Sequence, residues 1–130
     1  MNKVLAALTA AGIAAASLVA VAPTASAAGC VTTGITTGTG GVGTVAYKAA
    51  SGCGDLNLTY ADDTNLGWEE YAGYYKNASG TWTQGSRGYV YVEDGWYGLD
   101  QVVLVSGLTS GRAFSVASRW EGGDYVQITH

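Results

Sequence analysis

Gly88-Tyr89-Val90-Tyr91-Val92-Glu93, followed by Asp94-Gly95, decides the fold. Val and Tyr both favour an extended backbone and suit a pleated, half-buried surface. Successive strand side chains point to opposite sides, so Val90 and Val92 share one face and Tyr89 and Tyr91 the other. Asp-Gly supplies the positive φ of a two-residue hairpin turn, which predicts a return strand beginning at Trp96 and Tyr97 and interrupted by Gly98.

Similar signals extend both ways. Downstream, the Val/Leu-rich residues 101–106 read as a central strand and residues 107–111 as a turn. Residues 112–120 predict a strand with Phe114 and Val116 inward, and Glu121-Gly122-Gly123-Asp124 turns the chain into a last strand over 125–129. Upstream, the aromatic-dense residues 68–76 could be strand or short helix, and the nearby glycines favour strand. Residues 55–60 alternate, with Leu56, Leu58 and Tyr60 on one face and Asn57 and Thr59 on the other. Residues 28–44 are dominated by Gly and Thr and read as an arm, either flexible or an irregular Thr-rich edge strand. Beyond the first 27 residues nothing repeats at the helical period. About seven short strands separated by turns predict an all-β fold, a small antiparallel sandwich or barrel spanning 45–130.

Residues 1–27 have the features of a secretory signal peptide: Lys3, an apolar Ala-rich run over 4–22, the breaker Pro23, and Ala25-Ser26-Ala27 as a cleavage site. The expected destination is extracellular, with no membrane span in the mature chain. In an oxidising compartment Cys30 and Cys53 are expected to form a disulfide. A bridge closing that loop stabilises by roughly 3 kcal/mol in the chain-entropy account.

The 130-residue chain has a formal charge of −4, one His and two Cys. The acidic balance excludes a basic nucleic-acid footprint and argues against anionic lipid. Two Cys cannot make a four-ligand zinc cage, and no cofactor or metal is expected. The single His is the last residue, where fraying would leave it poorly placed as a catalytic base. Among carboxylates, Glu69 or Glu70 beside Trp68 and Tyr71 is the best candidate acid for a glycan hydrolase, which needs a second carboxylate across a cleft. Asp62, Asp63, Thr64 and Asn65 offer oxygen ligands, but without the spaced pattern of a calcium loop. Asn57-Leu58-Thr59 and Asn77-Ala78-Ser79 match the N-glycosylation acceptor pattern. Arg87, in a Gly-flanked turn, could be presented to the acidic specificity pocket of a protease.

The aromatics exceed what one small core requires. Tyr89 and Tyr91, with Trp96 and Tyr97 beyond the turn, are the expected binding residues. They suit stacking on sugar rings or anchoring a secreted or cell-surface protein. The leading expectation is therefore a non-enzymatic secreted domain that binds polysaccharide or protein. A carboxylate-dependent hydrolase and an inhibitor of a secreted hydrolase are the alternatives.

The Ala25-Ser26-Ala27 site, Gly43-Thr44-Val45 ahead of Cys53-Gly54, and the run from Gly85 to Val92 resemble small secreted β proteins of actinobacteria, many of unknown function. Secreted amylase inhibitors of those bacteria are similar in size and β content. Their second disulfide and Trp-Arg-Tyr triplet are absent from this sequence.

Overall fold

The computed structural model describes residues 29–130; the signal-peptide reading falls outside them. The described residues form two sheets and no helix. In the first sheet, β1 (Thr32–Thr36) pairs with β11 (Tyr125–Thr129), which pairs with β4 (Leu56–Asp62). The far edge of β4 takes two short strands, β8 (Gly95–Trp96) and β9 (Val103–Val105). In the second sheet, β10 (Ala113–Ser118) lies between β5 (Trp68–Lys76) and the short strands β2 (Gly38–Thr39) and β3 (Ala46–Tyr47). On the other edge of β5, β6 (Trp82–Gln84) and β7 (Val90–Glu93) lie end to end. All pairings are antiparallel except β2 with β10.

The all-β expectation holds, with eleven strands among the described residues rather than about seven. The excess consists of two- and three-residue strands that extend the edges of long ones. Between the sheets, Ile35, Leu58, Tyr71, Phe114, Val116, Val126 and Ile128 form the centre of the core. Phe114 and Val116 point inward as their alternation requires. The glycine at position 73 lets the sheets close up: a Cβ there would meet Val105 Cγ2 at 2.6 Å. Cys30 and Cys53 are bonded, tying the start of β1 to the segment before β4. The Thr-rich segment is an edge strand over 32–36, in register with β11. Among the described residues no helix is long and apolar enough to cross a membrane.

Four local expectations are corrected. Asp94-Gly95 does not close a hairpin: β7 pairs with β5, whereas β8 pairs with β4 in the other sheet. Gly95 uses its φ of 137° at this corner, and Asp94 is held by its N–H to Gly67 O and by Asp63 N–H to its Oδ1. Residues 101–106 are not a central strand, since β9 sits at a sheet edge and pairs only with β4. Tyr60 does not share a face with Leu56 and Leu58. The register of β4 against β11 shifts between Leu58 and Tyr60, which turns Ala61 into the core and Tyr60 outward. Such a bulge adds one residue and flips everything after it.

His130 does not fray. It is 2% exposed, its Nδ1 accepts the Ala49 N–H at 2.9 Å, and its Nε2 is 2.9 Å from Thr33 Oγ1. Burial, with the Lys48 charge nearby, lowers its pKa to about 4, so at neutral pH the ring is uncharged and Nε2–H donates to Thr33.

Candidate functional site

The outer face of the second sheet carries the candidate site. Inward Tyr71 and Val92 leave Trp68, Glu70 and Tyr74 of β5, and Tyr91 and Glu93 of β7, on the opposite side, with Tyr89 just ahead. Register sets Glu70 opposite Tyr91 and Trp68 opposite Glu93. The Trp68 and Tyr91 rings meet on this face with centroids 5.4 Å apart and a 31° tilt. Tyr91 is 56% exposed and its hydroxyl donates to Glu93 Oε2 at 3.3 Å.

Beyond β10 the chain adds a second aromatic edge. Arg119 N–H donates to Glu70 O, so the chain still follows β5, and Arg119 Nη1 makes an ion pair with Glu70 Oε1 at 3.0 Å. The guanidinium lies 4.7 Å from the Trp120 ring and 6.0 Å from Tyr89. Trp120 is 60% exposed, and its Nε1–H donates to Glu70 Oε2 at 3.4 Å. Tyr74 donates its hydroxyl to Gln84, and Lys76 covers Trp82 at 5.5 Å. The result is a row of rings interleaved with carboxylate, guanidinium and amide groups. Burial and the neighbouring Tyr74 hydroxyl push the Tyr89 phenol up, so it stays protonated and able to donate.

At the Trp68 end, a cavity of about 250 Å³ opens between Leu66, Trp68 and Trp120, with Asn65 and Glu121 at its rim and Asp63 and Glu69 also lining it. Asp63, Glu69 and Asp124 bring carboxylate oxygens within 4.8 Å of one another. These oxygens hold the surrounding loops. Asp63 Oδ2 accepts the N–H groups of Asn65, Leu66 and Gly67. Glu69 accepts those of Glu70, Trp120 and Glu121. Asp124 accepts Thr64 N–H and Oγ1–H on one oxygen and the Tyr71 and Ser118 hydroxyls on the other. Burial and the Asp63 charge raise Asp124. Burial alone would also raise Asp63, yet its backbone donors hold it below the ordinary carboxylate range.

The four expected binding residues are divided between the sheets. Tyr89 and Tyr91 lie on the face just described. Trp96, 73% exposed, stacks on Tyr60 at 4.3 Å on the outside of the first sheet, and Tyr125 lies 6.1 Å from Tyr60. Tyr97 is half-buried against the core, and its hydroxyl donates to Glu93 O. Trp68 and Trp120 are not among the four binding residues expected from sequence. Alternation from Trp68 to Glu70 hints at the first, but Trp120 reaches the site only because Arg119 follows β5. Of the candidate acids, Glu69 is enclosed by backbone donors and Glu70 is paired with Arg119. Asn57 is 3% exposed, with its amide donating to Thr129 O and its Oδ1 accepting Asp100 N–H, which leaves no room for a glycan on the folded chain. Arg87 reaches across to Ser106 Oγ at 3.5 Å. No protein family, curated protein or solved structure matches the chain.

Proposed function

We propose that the protein is a non-enzymatic β domain that binds polysaccharide outside the cell through the outer face of β5 and β7 and the adjoining Trp120. The observation that carries this reading is the pairing of half-buried Trp68 with exposed Tyr91, beside exposed Trp120 and interleaved with Glu70, Glu93 and Arg119. Exposed rings give sugar C–H faces an apolar partner, while the adjoining polar groups give hydroxyls somewhere to bond. Trp68 and Tyr91 sit on paired strands, so these two rings are ordered before a ligand arrives and little freedom is lost on binding. The disulfide suits an oxidising extracellular setting.

Retention of the purified protein on cell-wall material and a panel of insoluble polysaccharides tests the reading. Wild type is expected to be retained on at least one matrix. Trp68→Ala and Trp120→Ala should each weaken retention by about tenfold, the scale of losing a central aromatic anchor. Trp96→Ala, on the other sheet, should bind as wild type. Retention on none of the matrices, or equal retention of all the variants, removes the proposal.

A further inference from the structure

At the opposite end of β5 a second cavity, of about 260 Å³, opens where the two sheets part. It is lined by Tyr75, Ser86, Ser106, Gly107, Thr109 and Arg112, among others. Its charge is opposite to that of the Trp68 end. Arg112 is half-buried at its wall and engages one acceptor, Lys76 O, through Nη1 at 3.1 Å. Arg87 leans on Ser106, a lining residue, through Nη2. Among the described residues the one ion pair is Arg119 with Glu70, so neither of these guanidiniums has a carboxylate. The Ser86 and Thr109 hydroxyls engage no other described group. Lys48 lies behind the cavity, with its N–H on Arg112 O. Asp55 is the nearby carboxylate: its Oδ1 is occupied by Gly107 N–H, and its charge acts on Lys48.

A half-buried guanidinium with most of its five donors unused, beside two unpartnered hydroxyls and a second arginine, matches an anionic oxygen group. Arginine presents a fork that fits carboxylate, sulfate or phosphate oxygens through paired N–H bonds. We infer that this cavity is a binding site for the anionic group of an acidic sugar, a carboxylate or a sulfate ester, with Arg112 and Arg87 as its charge partners. The residues are separate from those of the aromatic face, but the sugar body of the ligand rests on the polysaccharide reading. The overall negative charge of the chain does not oppose this, because the site recognises one group at short range rather than a polyanion along a surface.

Amide NMR of the whole secreted chain, titrated with glucuronate, glucose 6-sulfate and glucose, tests the site. The two acidic sugars distinguish carboxylate from sulfate, and saturable shifts at Ser86, Gly107 and Thr109 with either one support the site. Glucose should leave those signals in place. Arg112→Gln should weaken the acidic sugar roughly tenfold, as should Arg87→Gln, whose exposed side chain makes it the variant least able to disturb folding. Trp68→Ala should keep the shifts while weakening retention on polysaccharide, which separates failure of this site from failure of the aromatic face. The inference is overturned if neither acidic sugar gives saturable shifts, if glucose gives the same ones, or if both arginine variants bind like wild type.

Discussion

At the Trp68 end of β5, buried Asp63, Glu69 and Asp124 accept hydrogen bonds from residues in three chain segments. At the Lys76 end, Arg87 and Arg112 hold one protein acceptor each and face open space. Both ends are charged and both border a cavity, yet only one has used its charges. Burying an ion is unfavourable unless bonds replace its water, so a fully bonded buried carboxylate is part of the scaffold. A guanidinium left with free donors at a cavity wall has capacity for something else. Counting partners, more than locating charge, separates structural from recognition groups in this molecule.

Asp124 offers the largest effect. Asp124→Ala removes the shared acceptor of Thr64, Tyr71 and Ser118 and should cost about 3–5 kcal/mol in urea unfolding. Asp124→Asn, which keeps one acceptor oxygen, should cost less. Equal and small losses for both variants would mean that the acidic end is no more structural than the basic one.

His130 is the basic end's own fully used group, closed in by Ala49, Thr33 and the Phe114 ring at 4.8 Å. Its pKa is about 4 in the folded state against 6.5 for the free side chain. The unfolded chain therefore binds a proton first as pH falls. The neutral ring's stabilising advantage is complete above about pH 6.5, declines between 6.5 and 4, and levels off below, a loss of about 3 kcal/mol. Asp63, with its lowered pKa, adds a loss at still lower pH, while Asp124, with its raised one, acts in the opposite sense. Stability followed from pH 7 to pH 4 should fall more steeply in wild type than in His130→Gln. Parallel curves, or a His130 ring titrating near 6.5 by NMR, would place this histidine among the unused groups.

How much of this was legible in sequence follows the range of the interactions. The β5, β10 and β11 strands were readable because alternation and Gly-bounded turns are local. Asp94-Gly95 misled because its local preference was satisfied by a corner between sheets, with Asp63 and Tyr60 choosing the partners. Tyr60 misled because a bulge depends on the neighbouring strand. Asp124 looked like the end of a Gly-rich turn, and its role depends on Thr64, Tyr71 and Ser118, which meet it only in the folded chain. Exposed rings could be anticipated from their surplus. Their grouping as Trp68–Tyr91–Trp120 on one sheet and Trp96–Tyr60–Tyr125 on the other could not, because it is set by strand pairing.

The smallest effect is also the most discriminating. If Arg87 and Arg112 are recognition groups, removing either should change unfolding free energy by less than about 0.5 kcal/mol, as for surface positions without a buried partner. Any change for Arg112→Gln should also vary with salt, since what is lost is a charge with no carboxylate partner. The competing account gives Arg112 a structural task, fastening the end of β5 through Lys76 O. On that account Arg112→Gln costs more than about 1 kcal/mol and Arg112→Lys, which keeps a donor and the charge, recovers much of the loss. Unfolding of these two variants, measured at low and high salt, decides the matter. A near-neutral substitution whose small effect varies with salt keeps the contrast between the ends of β5, and a salt-insensitive loss rescued by lysine abolishes it.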